Sequence, residues 1–137
     1  MGLILDSSVL IAEERKGQTA HRTLTQIGAY TGENRIAVSV ITIMEMAHGL
    51  ARANTPQRKA TRQQFLTDVL QAIPIHPVTA AIALRAGRID GENSAIGIRL
   101  AISDLLIGVT AIELGYSVLT ANVRHFQMIP GLTVLSI

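Results

Sequence analysis

The stretch Leu3-Ile4-Leu5-Asp6-Ser7-Ser8-Val9-Leu10-Ile11 places one carboxylate between two apolar runs. Residues 2–5 have the composition of a buried strand, and the hydroxyl groups of Ser7 and Ser8 can cap a helix over residues 9–14. Burying a charged carboxylate in such a setting is costly unless a partner or a metal ion compensates it. The position of Asp6 therefore indicates a functional site at the end of a first strand.

Three more oxygen-bearing side chains lie at comparable junctions. Glu45 lies in the first turns of a predicted helix that follows a strand over residues 35–38, and Asp104 opens a helix over residues 105–114. Asn122 follows a strand over residues 116–119. Because Mg²⁺ and Mn²⁺ prefer oxygen ligands, the three carboxylates with their neutral neighbour predict a divalent-metal site.

Each of these residues also has a purely structural interpretation. Asp6 and Asp104 can cap their helices, and Asn122 can be an ordinary loop or capping residue. Thr42-Ile43-Met44-Glu45 matches the capping-box pattern, in which the glutamate bonds back to the backbone. One shared metal site accounts for all four placements together.

The remaining elements predict an α/β fold. Further helices are expected over residues 19–30, 57–72 and 78–88, with a turn over residues 90–94. Ser39 or Thr42 can cap another helix that runs to about Ala53. The proline-rich segment 73–77 fits a short edge strand, and residues 133–135 fit a last strand. Strands that alternate with helices favour a mostly parallel sheet, in which ligands gather at the carboxyl ends of strands.

Composition limits the class of protein. A chain of 137 residues suits a single domain over residues 1–137, and the absence of cysteine excludes disulfides, thiolate metal sites and cysteine nucleophiles. No basic leader or apolar segment of about 20 residues is present, so no membrane association and a cytoplasmic location are expected. Ten of the twelve basic residues are Arg, a type that binds phosphate in bidentate fashion.

Basic and imidazole side chains outside the acidic set are less informative. The following residues can form an RNA-facing rim or a solvated helix face: Arg52, Arg58, Lys59 and Arg62. Arg99 and Arg124 lie closer in sequence to the acidic residues and are better candidates for phosphate contact or charge balance. The histidines at positions 48, 76 and 125 lack metal-ligand spacing, and ordinary packing or surface roles are expected for them.

Four segments together resemble the PIN domain, and within it the VapC-type toxins of toxin–antitoxin pairs. They are residues 3–11, Ala37-Val38-Ser39-Val40-Ile41-Thr42-Ile43-Met44-Glu45, Ser103-Asp104-Leu105-Leu106-Ile107, and Thr120-Ala121-Asn122-Val123-Arg124-His125-Phe126. Their order and spacing cover almost the entire chain. The resemblance implies a three-layer α/β/α sandwich and a metal-dependent endoribonuclease.

The resemblance also implies roles for residues and partners. Asp6 and Asp104 would ligate Mg²⁺, with Mn²⁺ as an alternative, Glu45 would complete the acidic cluster, and Ser7 and Thr120 would support it. Water activated by the metal would hydrolyse RNA to leave a 5′-phosphate and a 3′-hydroxyl. A homodimer and a VapB-type antitoxin that occupies the active-site groove are expected.

Asn122 keeps a second interpretation open. The family often carries an acidic residue at this position, so the neutral amide favours one metal ion rather than two. It also leaves room for a catalytically weak or inactive PIN-like module that binds RNA or protein.

Overall fold

The computed structural model describes residues 1–137 as five strands and six α-helices. In chain order they are β1 (Leu3–Leu5), α1 (Ser7–Arg15), α2 (Ala20–Thr31), β2 (Ile36–Ser39), α3 (Val40–Ala51), α4 (Pro56–Ala72), β3 (Ile75–His76), α5 (Ala80–Ala95), α6 (Ile102–Leu114), β4 (Ser117–Thr120) and β5 (Val134–Ser136). A short 3₁₀ helix, Val123–His125, lies between β4 and β5. None of the helices is both long enough and apolar enough to cross a membrane.

The five strands form one parallel sheet in the order β3-β2-β1-β4-β5. The predicted parallel sheet is confirmed, and the proline-flanked strand β3 lies at an edge, where missing N–H donors cost least. The chain builds outward from β1 through β2 to β3, and then adds β4 and β5 on the other side. Strand order therefore reverses between β1 and β4, which is where open α/β sheets form their ligand crevice.

Alternating side chains of β1 divide the core into two layers. Leu3 and Leu5 pack on one face with α1, α2, α3 and α4, whereas Ile4 packs on the other face with α5 and α6. All three side chains are almost completely inaccessible to solvent, as expected for a central strand covered on both faces. The arrangement confirms the predicted three-layer α/β/α sandwich.

Helix α5 extends beyond its predicted end. The turn expected over residues 90–94 is wrong, because these residues continue the helix to Ala95. Asn93 is buried there, and its side-chain amide donates to the backbone carbonyl of Met128 at 3.4 Å. Tertiary packing thus overrides the weak local preference of Gly91 and its polar neighbours for a turn.

The helix boundary at α6 also differs from the prediction. The helix begins at Ile102, so Asp104 lies inside its first turn instead of opening it. Ala101 occupies the N-cap position and provides no side-chain cap. This geometry leaves the Asp104 carboxylate free of a capping role.

The helical conformation of residues 90–94 can be tested with a pair of glycine substitutions. Gly91→Ala should raise the free energy of unfolding by up to about 1 kcal/mol, because a methyl group there meets open space and alanine favours helix. Gly97→Ala should lower it by about 1 kcal/mol, because Gly97 has a φ of 79°. Urea unfolding measures both values, and destabilisation by Gly91→Ala would contradict the extended helix.

Candidate active site

Asp6 is held rigidly at the switch point of the sheet. Its side chain is only 4% exposed, and Oδ2 accepts hydrogen bonds from the hydroxyls of Ser8 at 2.7 Å and Thr120 at 2.9 Å. Its backbone N–H donates to Leu119 of β4 at 3.0 Å. Although Asp6 occupies the N-cap position of α1, its side chain makes no capping bond. The carboxylate is therefore oriented by α1 and β4 together, and the capping interpretation is wrong.

Glu45 points back towards the first helix. Its Oε1 accepts a hydrogen bond from the Ser7 hydroxyl at 3.0 Å. The helix α3 is capped instead by Ser39, whose Oγ accepts a backbone N–H at 3.0 Å. The Thr42 hydroxyl donates to the Leu5 carbonyl at 3.3 Å, so Thr42 and Glu45 form no capping box.

Asp104 approaches the site from α6 and contacts a histidine. The Asp104 side chain is 15% exposed, and its Oδ2 lies 3.4 Å from Nδ1 of His125, which is 56% exposed. Sequence reasoning assigned His125 to packing or the surface, and missed this contact. No local spacing signal reveals it, because Asp104 in α6 and His125 in the 3₁₀ helix meet only in the folded chain.

Asn122 lies beside the cluster and is exposed. It occupies the N-cap position of the 3₁₀ helix, yet its side chain makes no capping bond. Its backbone N–H donates to the Thr120 hydroxyl at 2.9 Å, the same hydroxyl that donates to Asp6. Thr120 thereby links the position of Asn122 to the buried carboxylate.

The carboxylates influence one another electrostatically. Burial raises the pKa of Glu45 above its ordinary value, the Ser7 hydrogen bond opposes this shift, and the charges of Asp6 and Asp104 add to it. Burial also raises the pKa of Asp104, the charge of Asp6 adds to the increase, and His125 lowers it. Both carboxyl groups are therefore partly buried, and the negative charge of Asp6 disfavours the ionised form of each.

The donor set of this cleft fits a hard divalent cation. No group of three or more Asp, Glu or His side chains is already gathered closely enough to enclose an ion. Mg²⁺ keeps several water ligands and is commonly bound through one or two carboxylates, so a closed cage is not required. Oxygen donors and mutual repulsion among the carboxylates both favour cation binding.

Two of the four residues of the predicted basic rim, Arg58 and Arg62, make contacts within the protein. Arg62 donates to the Gly49 carbonyl at 2.6 Å and lies 3.9 Å from Glu14, while Arg58 donates to Asn54 at 3.4 Å. Arg62 is therefore a structural residue that ties α4 to α1 and α3. Arg99 and Arg124 are exposed and take part in no salt bridge.

The fold and the acidic crevice together define the class of protein. The model of the family described as PIN domain matches residues 3–131 of this chain. The matched segment includes every residue described at the crevice: Asp6, Ser7, Ser8, Glu45, Asp104, Thr120, Asn122 and His125. The chain belongs to the PIN-domain family.

Relatives within the family are VapC proteins. The chain is 33% identical to Ribonuclease VapC1 of Rickettsia felis over 138 residues, covering 100% of this chain and 97% of the relative. It is 28% identical to Ribonuclease VapC of Rickettsia bellii, covering 100% and 97% of the two chains. A chain in the crystal structure of VapBC2 from Rickettsia felis bound to a promoter DNA fragment shares the fold, with a TM-score of 0.82, 23% identity and coverage of 100% and 99%.

The raised pKa of Glu45 predicts a pH-dependent cost in stability. A carboxyl group whose pKa is higher in the folded state stabilises the fold below its unfolded pKa, and loses that contribution as pH rises through the folded value. Glu45→Gln removes this titration while keeping an oxygen acceptor for Ser7. In EDTA, the stability of the variant relative to wild type should therefore increase from acidic to neutral pH. Urea unfolding across this range measures it, and a pH-independent difference would contradict the shift.

Proposed function

We propose that this protein is a metal-dependent endoribonuclease and the toxin of a type II toxin–antitoxin system. The observation that carries the proposal is the buried Asp6 carboxylate, which the hydroxyls of Ser8 and Thr120 hold at the switch point of a PIN-domain sheet. Glu45 and Asp104 lie near enough for the charge of Asp6 to raise their pKa values. The relatives named as VapC ribonucleases support the same activity. The products would be a 5′-phosphate and a 3′-hydroxyl.

The residues of the cleft have distinct roles in this mechanism. Asp6 and Asp104 hold the cation, and Glu45 completes the acidic cluster. A bound divalent ion supplies polarisation of the phosphate and a more acidic water. Ser8 and Thr120 fix the orientation of the Asp6 carboxylate, and Ser7 fixes that of Glu45. Burial raises the pKa of the Glu45 carboxyl group, which favours a role for it in accepting a proton during the reaction.

The ion we propose is Mg²⁺, with Mn²⁺ as an effective substitute. Both ions accept carboxylate ligands together with water, which suits an open cleft of three carboxylates. A single ion is expected, because the fourth polar residue of the site, Asn122, is neutral.

The partners we propose are RNA as substrate, a VapB-type antitoxin and a second copy of the chain. Support for the antitoxin comes from the fold that this chain shares with a chain of VapBC-5 from Mycobacterium tuberculosis, which is described as a member of the VapBC family of toxin–antitoxin systems. An antitoxin that occupies the groove would block RNA from the carboxylates directly. The homodimer is proposed from the family resemblance alone.

The second candidate function is a PIN-like binding module with little or no catalysis. The neutral Asn122 is the observation that favours it. A binding module would keep its affinity for RNA or protein when the acidic cluster is neutralised, whereas a nuclease would lose its activity.

Neutralising Asp6 tests the activity. Asp6→Asn should lower RNA cleavage at least about 100-fold, because a catalytic metal ion contributes several kcal/mol and each 1.4 kcal/mol is roughly tenfold in rate. EDTA should abolish cleavage by the wild type, and Mg²⁺ or Mn²⁺ should restore it. Asp68→Asn is the matched control, since Asp68 is on α4 and bonds only to Gln64. Cleavage that survives both Asp6→Asn and EDTA would refute a metal-dependent nuclease.

The Thr120 hydroxyl should matter through Asp6. Thr120→Val keeps the shape of the side chain and removes the donor at 2.9 Å, so the metal affinity should fall about 10- to 100-fold. Thr120→Ser should restore most of it. Calorimetric titration with Mn²⁺ measures affinity without reference to activity. Equal Mn²⁺ affinities of wild type and Thr120→Val would show that the hydroxyl does not position the ligand.

A further inference from the structure

A second polar cleft adjoins the acidic cluster. We call it the β4–β5 cleft, and it is lined by Ala121, Asn122, Val123, Arg124, His125, Ser136 and Ile137. Its volume of about 560 Å³ falls within the roughly 300–1,000 Å³ typical of ligand pockets. No carboxylate side chain lines it.

We infer that the β4–β5 cleft binds a backbone phosphate of single-stranded RNA next to the bond that is cleaved, with Arg124 as the main contact. The inference rests on the proposed nuclease function and adds the direction in which the substrate leaves the acidic site. The cleft lies beside Asp104, with His125 between them.

His125 connects the cleft to the acidic cluster. The imidazole lines the cleft, and its Nδ1 lies 3.4 Å from Oδ2 of Asp104. The two sites are therefore separated by one side chain. A strand of RNA held at the carboxylates would extend directly into the β4–β5 cleft.

The walls of the cleft are fixed in the folded protein. The backbone N–H of Ile137 donates to Thr120 at 3.3 Å, and that of His125 donates to Asn122 at 3.0 Å. Phe126 follows the 3₁₀ helix and is completely buried in the core between the sheet, α5 and α6. Arg124 is thus presented on a preformed segment, which reduces the entropy lost when a ligand binds.

Arg124 is the only basic side chain other than His125 that lines the β4–β5 cleft. Three carboxylates repel the phosphates on either side of the scissile bond, and a cation in the cluster offsets this repulsion only locally. Arg124 is exposed, takes part in no salt bridge and carries a guanidinium that matches phosphate oxygens. Arg62, by contrast, is engaged with Gly49 and Glu14.

A groove of similar size provides an internal control. It lies at the amino ends of the strands, where Arg35 directly precedes β2, and it also contains Glu33 and His21. Arg35 is exposed and takes part in no salt bridge, like Arg124. RNA attracted merely by basic surface would use both arginines, whereas RNA aligned on the acidic site would use Arg124 alone.

The test compares Arg124→Gln with Arg35→Gln, each in the Asp6→Asn background, which prevents cleavage. The affinity for a fluorescent single-stranded oligoribonucleotide is measured by anisotropy over a series of salt concentrations. One lost phosphate contact should reduce the slope of log K against log salt by about 0.7, and this should occur with Arg124→Gln only. In the otherwise native protein, Arg124→Gln should raise KM more than it lowers kcat.

The outcomes separate this inference from the proposed function. Equal slopes for Arg124→Gln and its parent would overturn the phosphate site, and so would an equal decrease caused by Arg35→Gln. Absence of RNA binding by the parent would overturn it as well. Cleavage of the same RNA by the wild type with Mg²⁺ is measured separately. The nuclease function is therefore tested independently of the phosphate site.

Discussion

The hydrogen bond from Thr120 to Asp6 is the interaction on which the site depends. It joins the last residue of β4 to the residue after β1, at the point where strand order reverses. Ser8 adds a second donor from the start of α1, so the buried carboxylate has two hydroxyl partners and none of them is charged. The two hydroxyl donors fix the orientation of the carboxylate and bring no positive charge that would compete with a cation. The negative charge therefore remains available to a cation.

Stability and function oppose each other in the rest of the cluster. Glu45 and Asp104 are partly buried near Asp6, and both have raised pKa values because burial and like charges disfavour ionisation. A protein selected only for stability would replace one of them with a neutral residue. Repulsion among the carboxylates destabilises the folded protein when no cation is bound. A divalent ion that binds there would relieve this repulsion and stabilise the fold.

Local sequence patterns predict the strands and helices that carry the site. They do not predict contacts between residues that are distant in the sequence. Asp6 was found because a carboxylate ends a three-residue apolar strand, and parallel pairing then brings it beside β4. The Ser7–Glu45 bond spans 38 residues, and the His125–Asp104 contact also depends on tertiary packing. The capping interpretations could be rejected only from coordinates, because a capping box and a site carboxylate share the same sequence pattern. The prediction of a turn over residues 90–94 was wrong for a related reason. The buried side-chain amide of Asn93 donates to the carbonyl of Met128, which is 35 residues further along the chain.

The neutral side chain of Asn122 suits the charges and hydrogen bonds of the residues around it. Its backbone N–H uses the Thr120 hydroxyl as acceptor, while that hydroxyl donates to Asp6. A carboxylate at position 122 would add a fourth negative charge beside a cluster in which two groups already resist ionisation. It would also lie at the mouth of the β4–β5 cleft, where Arg124 would become its natural partner. A neutral amide keeps Arg124 without a salt bridge and the cleft free of acidic side chains, which suits the phosphate contact that we propose for Arg124.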